Sequence, residues 1–565
     1  MKTSAKFSKL FNSETTVRFL ELCGAAIVIG LVFWNLQFQT NAICCGDFDG
    51  YYHMKWSRML WESIRSQQSP PLFVWLPLTT LDVNHYVDHH FLFHIFQIPF
   101  TWFSDLRMAA KISSALFGGL AVFSCYWLMV HFRIRYSLVW LVALLACSAP
   151  FLYRMNMAKA PPFAIIYLII AIVLLFKQKF WPLLILAFLF TLTYDMFPFL
   201  FATVIFWVAV IAWSERRLEW RPVVWVAIGI ALGLVINPYF PKNLLMLYQH
   251  IRMKIPFAGY DVSVGGEWYP YNTVEFLGNS FIAVVAMVVG YLAFDPSDRK
   301  RAHHSLLMML VATSLMIINL VWKRFSEYWP PFAVLFAAFS LQPWLNGSRS
   351  IFTRLPSDIL VELEPFLDRE DSAEVSREKD RKELWGMSIA AAVAVVLGLV
   401  LFLNLRYTAR EIAQSEPHKY YQGGAQWMRT NVTPHEIVFN TDWDDFPRLF
   451  YFDETHKYVS GLDPNYLFNK DPQLSRLYER ITKGDESDPG PLIRQRFRAR
   501  YVFTDNGHDR FYNNAIESGW FEIVYEDEEC TVLRILDQKG EPPPEELELE
   551  GEPDDLPIPG PSPSP

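Results

Sequence analysis

Apolar residues run in long blocks through the first 405 positions and give way to short alternating stretches beyond them. The blocks fall at 17–38, 108–130, 137–152, 161–176, 180–197, 198–213, 222–237, 276–294, 305–321, 328–343 and 385–405. A helix rises about 1.5 Å per residue against a bilayer core of about 30 Å, so these blocks read as transmembrane helices. Segment 91–104 is apolar too, but short, and loop charge decides its status. If it stays on one surface, Arg133, Arg135, Lys177, Lys179, Arg216, Arg217, Arg221, Arg299, Lys300, Arg301 and the charged stretch 344–384 share the side of Lys2, Lys6 and Lys9. The positive-inside rule then predicts about 11 spans, a cytoplasmic N-terminus and a C-terminus outside. No small-residue cleavage site follows the first block, so it reads as an uncleaved helix of a plasma (inner) membrane protein.

Beyond residue 405 the pattern shortens. Segments 436–442, 457–462, 500–505, 521–527 and 530–536 carry the β-branched and aromatic residues of strands. Helical segments at 423–431, 475–482, 491–499 and 510–518 separate them. The expected architecture is a polytopic α-helical membrane domain, 1–405, followed by an extracytoplasmic α/β domain, 406–540. The end, 541–565, is acidic and proline-rich and reads as disordered.

Composition agrees with this mixture. Of 565 residues, 52% are hydrophobic and 19% charged, and the mean hydropathy is +0.16. A purely embedded chain would score higher and a soluble one lower. The net charge of −8 offers no basic excess for a phosphate backbone, so nucleic acid is not an expected partner. The six cysteines (Cys23, Cys44, Cys45, Cys125, Cys147 and Cys530) have no CxxC spacing and read as free thiols.

The chemistry concentrates in the first outer loop, 39–107. Asp47, Asp49, His53, Asp82, His85, Asp88, His89, His90 and His94 lie there, including five of the 13 histidines. A surface loop needs polar residues but not histidine. Imidazole with carboxylate suits a divalent cation, Mn²⁺ or Mg²⁺, or an acid/base pair. Asp88 and His90 share one side if Val87–His90 is extended, with His89 pointing away. Further outer-facing polar residues are Lys159, Tyr194, Asp195, Asn237, Glu267, Lys323, Arg324 and Glu327. Ionisable groups near membrane depth are costly and point to function, and a cation there suits a phosphate. The plainer reading is an interfacial anchor or a local ion pair, such as Arg324 with Glu327.

Asp49-Gly50-Tyr51-Tyr52-His53 resembles the D-S-Y-Y-H first-loop motif of archaeal oligosaccharyltransferases, and Asp88-His89-His90 resembles their D-H-H motif. Trp427-Met428-Arg429, Val438-Phe439-Asn440 and Trp443-Asp444-Asp445 are similar to the family's W-x-R helix, strand and W-W-D-Y-G segment. The layout looks like the GT-C class of membrane glycosyltransferases. D-H-H sits here in the first outer loop rather than the second, and Asp445-Phe446 replaces Tyr-Gly.

The resemblance implies transfer of a sugar from a polyprenyl-phosphate or polyprenyl-diphosphate donor to a glycan, lipid or protein acceptor. It implies catalytic roles for Asp49 and Asp47, and a divalent metal on Asp49, Asp88 and His90. Arg324, Lys159, His53 and His89 would face the donor phosphate, and Glu267, Trp443 and Asp444 the acceptor. The competing readings are a protein-glycosylating oligosaccharyltransferase, a transporter and a non-catalytic membrane subunit. A transporter would need two repeated halves with broken helices at the midplane. No such repeat is visible in the sequence.

Overall fold

The computed structural model describes residues 14–43, 48–67, 70–253, 265–346 and 372–540. Lys2, Lys6, Lys9, Cys44, Cys45, Asp47, most of the stretch 344–384 and the tail 541–565 lie outside the described residues. The four described cysteines are free thiols.

The protein is a helical membrane protein with a C-terminal domain. Among the described residues, five helices are singly long and apolar enough to cross a bilayer: Thr15–Gln37, Leu106–His131, Pro198–Glu215, Arg299–Val321 and Leu384–Ala413. Two expected single spans are instead sharply bent. Ser137–Ala146 meets Ala149–Met155 at 84°, and Thr273–Asn279 meets Phe281–Ala293 at 84°. Pro150 cannot donate within a continuous helix, and Ser148 caps the new start by accepting the Phe151 N–H. The two breaks lie against each other: the Ser148 and Ser280 hydroxyls are 3.0 Å apart, and the Ala283 N–H donates to the Cys147 carbonyl over 3.2 Å. Each break thus supplies partners for polar groups that the other frees. Pro161–Phe176, Pro182–Thr193 and Arg221–Val235 are apolar but shorter. Among the described residues, length and composition alone thus pick out five helices, or seven if each bent pair is one span, with three shorter apolar helices beside them; this does not confirm the expected 11 or so. Segment 91–104 forms a seven-residue helix, Phe91–Gln97, and a 3-10 turn, Ile98–Trp102, together too short to cross.

Several polar groups inside the bundle are satisfied locally. Glu21 accepts from the Tyr126 hydroxyl (2.6 Å) and from Ser137. Lys111 is buried and donates to the Gln37 and Thr40 carbonyls, where the first helix ends with unpaired acceptors and a negative dipole end. Gly229 and Gly233, four apart, let Arg221–Val235 press against Pro182–Thr193. A Cβ on Gly229 would meet the Leu184 carbonyl and lie 2.8 Å from the Ala187 Cβ.

The C-terminal domain holds five strands: β1 (Ile437–Asn440), β2 (Lys457–Tyr458), β3 (Ala499–Asp505), β4 (Phe521–Glu526) and β5 (Cys530–Ile535). Their order is β2-β1-β3-β5-β4. β1 is parallel to β2 and β3, and β5 is antiparallel to β3 and β4. Alternation divides the faces. Phe439, Val502 and Leu533 join a core with helices Pro472–Thr482 and Asp509–Glu517. Val438, Phe503 and Val532 join another that contains Tyr52, Trp56, Phe73, Trp75 and Tyr86 of the first loop. The first loop and the C-terminal domain are thus packed into one core. Backbone bonds add to it: the Tyr458 N–H donates to the Trp75 carbonyl (2.8 Å), and the Thr80 N–H to the Tyr466 carbonyl (3.0 Å).

The segment expected as a strand over 457–462 pairs for only two residues. The Asn440 side chain takes over, its Oδ1 accepting from the Val459 and Ser460 N–H groups (3.1 and 3.4 Å). Leu462 then turns the chain with a φ of 66°. This departure from the sheet edge carries Leu462, Asp463 and Tyr466 toward the first loop.

Candidate functional site

A cavity of about 120 Å³ lies where the first loop, the helix connections and the C-terminal domain meet. Asp49, His53, His89, His90 and Arg324 line it, together with Tyr194, Asp195, His250 and Asp463. Helix Asp49–Arg65 positions the first pair. Asp49 occupies its first turn, favourable for an acid, and His53 is one turn on along the same face. Tyr52 and Trp56 hold the helix by packing into the core shared with the C-terminal domain.

Asp49 pairs with Lys159 over 2.9 Å. Behind this pair runs a second charged group. Glu267 bridges two guanidiniums, accepting from Arg154 Nη2 and Arg324 Nη1 at 2.7 Å each. Arg154 also donates through Nε to the fully buried Glu327 (2.7 Å). Burial would raise the Glu267 pKa, but Arg324 and Arg154 outweigh it and hold the carboxylate well below its usual range. Burial likewise opposes the Arg324 charge, and Glu267 reverses the effect. The local pair expected between Arg324 and Glu327 does not form: each reaches across to another element. Glu267 is the partner of these arginines, while its neighbour Trp268 reaches the cavity wall.

The Asp88-His89-His90 segment is a turn, not an extended strand. The His90 N–H donates to Asp88 Oδ1 (3.0 Å), an Asx-type turn that sends Asp88 inward and both His89 and His90 to the cavity. Asp88 Oδ2 accepts from Trp56 Nε1 (3.1 Å) and from His94 Nδ1 (2.7 Å). The expectation that Asp88 and His90 point together while His89 points away is therefore corrected. Among the described residues no three His, Cys, Asp or Glu side chains are grouped to hold a metal ion. Asp88 points inward with both oxygens accepting hydrogen bonds, so Asp49, Asp88 and His90 do not fit a shared Mn²⁺ or Mg²⁺.

Burial favours the uncharged form of three of these imidazoles. His53 and His90 lie well below the ordinary value of 6.5, and His89 is pushed down to about 3, with His250 adding to the effect. His250 stands between Asp195 Oδ2 (Nδ1, 3.3 Å) and the Tyr466 hydroxyl (Nε2, 3.2 Å). His250 and Asp463 escaped the sequence reading. Neither sits in a motif, and only the fold brings them beside Asp195, whose interruption of an apolar run was visible.

Trp443 lies elsewhere. It lines a larger cavity of about 500 Å³ at the carboxyl ends of β1 and β3, with Asp442, Tyr478, Lys483, His508 and Arg510. The Asp444 N–H donates to Asp442 Oδ1 (3.0 Å). The two cavities share one wall, the 460–467 segment: Ser460, Pro464 and Leu467 face the larger, and Leu462, Asp463 and Tyr466 the smaller.

Fold and site together define a multi-helix membrane protein whose first loop and C-terminal α/β domain enclose a charged, histidine-rich cavity. Across nearly its whole length this arrangement resembles in fold the oligosaccharyltransferase of Archaeoglobus fulgidus. The chain superimposes on the apo form of that enzyme with a TM-score of 0.53 at 13% identity, covering 92% of this chain and 75% of that one. On the form tethered by a disulfide to an acceptor peptide containing an NVT sequon, the TM-score is 0.57 at 12% identity, covering 93% and 74%. A match to the TgpA N-terminal domain family spans residues 181–405, less than half of the chain. No curated protein sequence matches the chain.

Proposed function

We propose that the protein is an integral-membrane glycosyltransferase. It moves a sugar from a polyprenyl-phosphate or polyprenyl-diphosphate donor to an acceptor at the outer face of the membrane. The observation that carries this reading is the meeting in one cavity of Arg324 and Asp49, the latter paired with Lys159, within a fold similar to an oligosaccharyltransferase. In this reading the chain sits in the plasma membrane with its N-terminus cytoplasmic, residues 1–405 as the catalytic part and 406–540 outside.

The chemistry needs two kinds of charge. As the bond between the anomeric carbon and the phosphate oxygen breaks, negative charge builds on the leaving polyprenyl phosphate. Arg324 and Lys159 are the cations that would neutralise it, preorganised by Glu267 and Asp49. On the other side Asp49 takes the proton of the acceptor's nucleophile, or its hydrogen bond, as the new bond to the anomeric carbon forms. The acceptor would extend over the 460–467 wall toward Trp443 and Asp444, which favours a peptide acceptor over a small lipid.

The test is transfer by the full chain in nanodiscs, with radiolabelled polyprenyl-linked sugars and peptide, glycan and lipid acceptors. Asp49→Asn changes charge with little change in volume and is expected to cut turnover at least 100-fold while donor binding persists. Equal turnover in this variant, or no transfer from any polyprenyl donor by the folded wild type, would refute the reading.

A further inference from the structure

The larger cavity stands where the wiring of the C-terminal sheet reverses. β1 and β3 are parallel neighbours. The chain leaves β1 toward β2 on one side, and leaves β3 toward β4 on the other, past β5. The connecting helices divide in the same way. Phe446–Phe452 packs on the face of Val438, Phe503 and Val532, and Asp509–Glu517 on the face of Phe439, Val502 and Leu533. The loops at the carboxyl ends of β1 and β3 therefore part, and the crevice between them is where an open α/β sheet takes ligands. Thr441, Asp442 and Trp443 enter it after β1, and residues 507–510 after β3. Its volume of about 500 Å³ suits a small molecule.

One group in its wall holds nothing in the fold. Ser460 is 1% exposed, and among the described residues its Oγ has no hydrogen-bond partner, although Asn440 engages its backbone N–H and carbonyl. A buried hydroxyl without a partner is costly, and this residue lines the cavity. Tyr478 is fixed in the same wall by its hydroxyl, which donates to the Asn440 carbonyl (2.9 Å).

The charges at the cavity balance one another. Lys483 contacts Glu479, Arg510 contacts Asp485, and His508 contacts Asp505. Asp509 occupies the first turn of its helix, where a phosphate would otherwise find N–H groups. An anionic ligand therefore meets carboxylates, and a cationic one meets Lys483 and Arg510. A neutral, hydroxylated ligand meets neither penalty, because each hydroxyl both donates and accepts. It can donate to Asp442 and accept from Ser460, and an apolar C–H face would rest on an aromatic ring.

We propose that this crevice is a saccharide-binding site. It holds a neutral hexose unit with Trp443 against its C–H face and with Ser460 and Asp442 on its hydroxyls. The site stands on the geometry of the C-terminal sheet and goes beyond the transfer reading. It shares the 460–467 wall with the smaller cavity, so the hexose has two sources: a glycan acceptor whose end reaches Asp49, or the outer sugars of a donor oligosaccharide.

The test is saturation-transfer NMR on the full chain in nanodiscs, titrated with glucose, galactose, mannose, N-acetylglucosamine and their disaccharides. At least one is expected to bind with a millimolar Kd. Trp443→Ala should weaken that binding roughly tenfold. Ser460→Ala should weaken it about 3–10-fold while the thermal midpoint stays the same or rises, since the hydroxyl holds nothing in the free fold. Binding that both variants keep at full strength overturns the site, and Ser460→Ala decides by itself if Trp443→Ala does not fold. A folded wild type that binds none of these sugars also overturns it, and a peptide KM raised by Trp443→Ala would then assign the crevice to a peptide acceptor. The polyprenyl-sugar transfer assay separates the two sources. A bound saccharide that becomes glycosylated is an acceptor; one that stays unmodified and raises the donor KM takes the place of the donor's outer sugars. Saccharide binding by a folded chain that transfers nothing overturns the transfer reading and leaves the site.

Discussion

Asn440 is the residue whose loss should reach both cavities at once. It is fully buried at the end of β1, and its amide replaces the strand pairing that β2 abandons. Nδ2 donates to the Asp442 and Ser460 carbonyls (2.6 and 2.8 Å), and Oδ1 accepts from the Val459 and Ser460 N–H groups (3.1 and 3.4 Å). Asn440→Ala removes all four and fills nothing. Three of the four have good geometry, and a typical net contribution is about 1 kcal/mol each, so the local cost is about 3 kcal/mol. Two of the three are made to the 459–467 segment, so its opening constant should rise roughly 30-fold, at about 1.4 kcal/mol per factor of ten. Hydrogen exchange followed by mass spectrometry reads this directly as lost protection in peptides covering 459–467. Peptides over β3 and β5 should change little, because their ladder is untouched. Turnover should fall as well, since Leu462, Asp463 and Tyr466 form one wall of the smaller cavity. A protection change under threefold would show that these bonds do not hold the segment, and that its path is set by the Trp75 and Thr80 contacts instead.

Gly229→Val should lower the thermal midpoint in detergent, at a cost of about 1–3 kcal/mol, because the added carbons meet the Leu184 carbonyl and Ala187. Gly24→Ala, with nothing within 4 Å, should leave the midpoint unchanged, and equal loss in both would refute the packing argument. The buried Asp453–His456 pair, at 2.5 Å, predicts a pH window for the edge of the sheet. Burial opposes both charges, yet the mutual hydrogen bond raises His456 above 6.5 and lowers Asp453 below 3.8. The His456 contribution is whole below 6.5 and is lost as pH rises through its raised folded value. The Asp453 contribution is whole above 3.8 and is lost as pH falls through its depressed one. Exchange protection at Lys457 and Tyr458, corrected for intrinsic rates, should therefore be greatest between about pH 4 and 6.5, and a flat profile up to pH 9 would contradict it.

Periodicity along the chain was enough to separate an apolar helical part from an alternating one, because burial against lipid and burial in a sheet leave different local signatures. The strands at 500–505 and 530–536 were legible for that reason: Val502 and Phe503, like Val532 and Leu533, belong to opposite faces. The loop density of histidine and acid likewise marked Asp49, His53, His89 and His90 as neighbours of something chemical. Other features could not be read locally. The 84° bends depend on Ser148 meeting Ser280, and the short β2 depends on an Asn440 side chain from another strand. The direction of Asp88 depends on a turn closed by the His90 N–H and on Trp56 and His94 waiting behind it, so spacing alone pointed it the wrong way. His250 and Asp463 carry no motif at all. Sequence determines which residues are costly to bury; only the tertiary structure decides which partners offset that cost, and so which charges face the cavity and which hold it together.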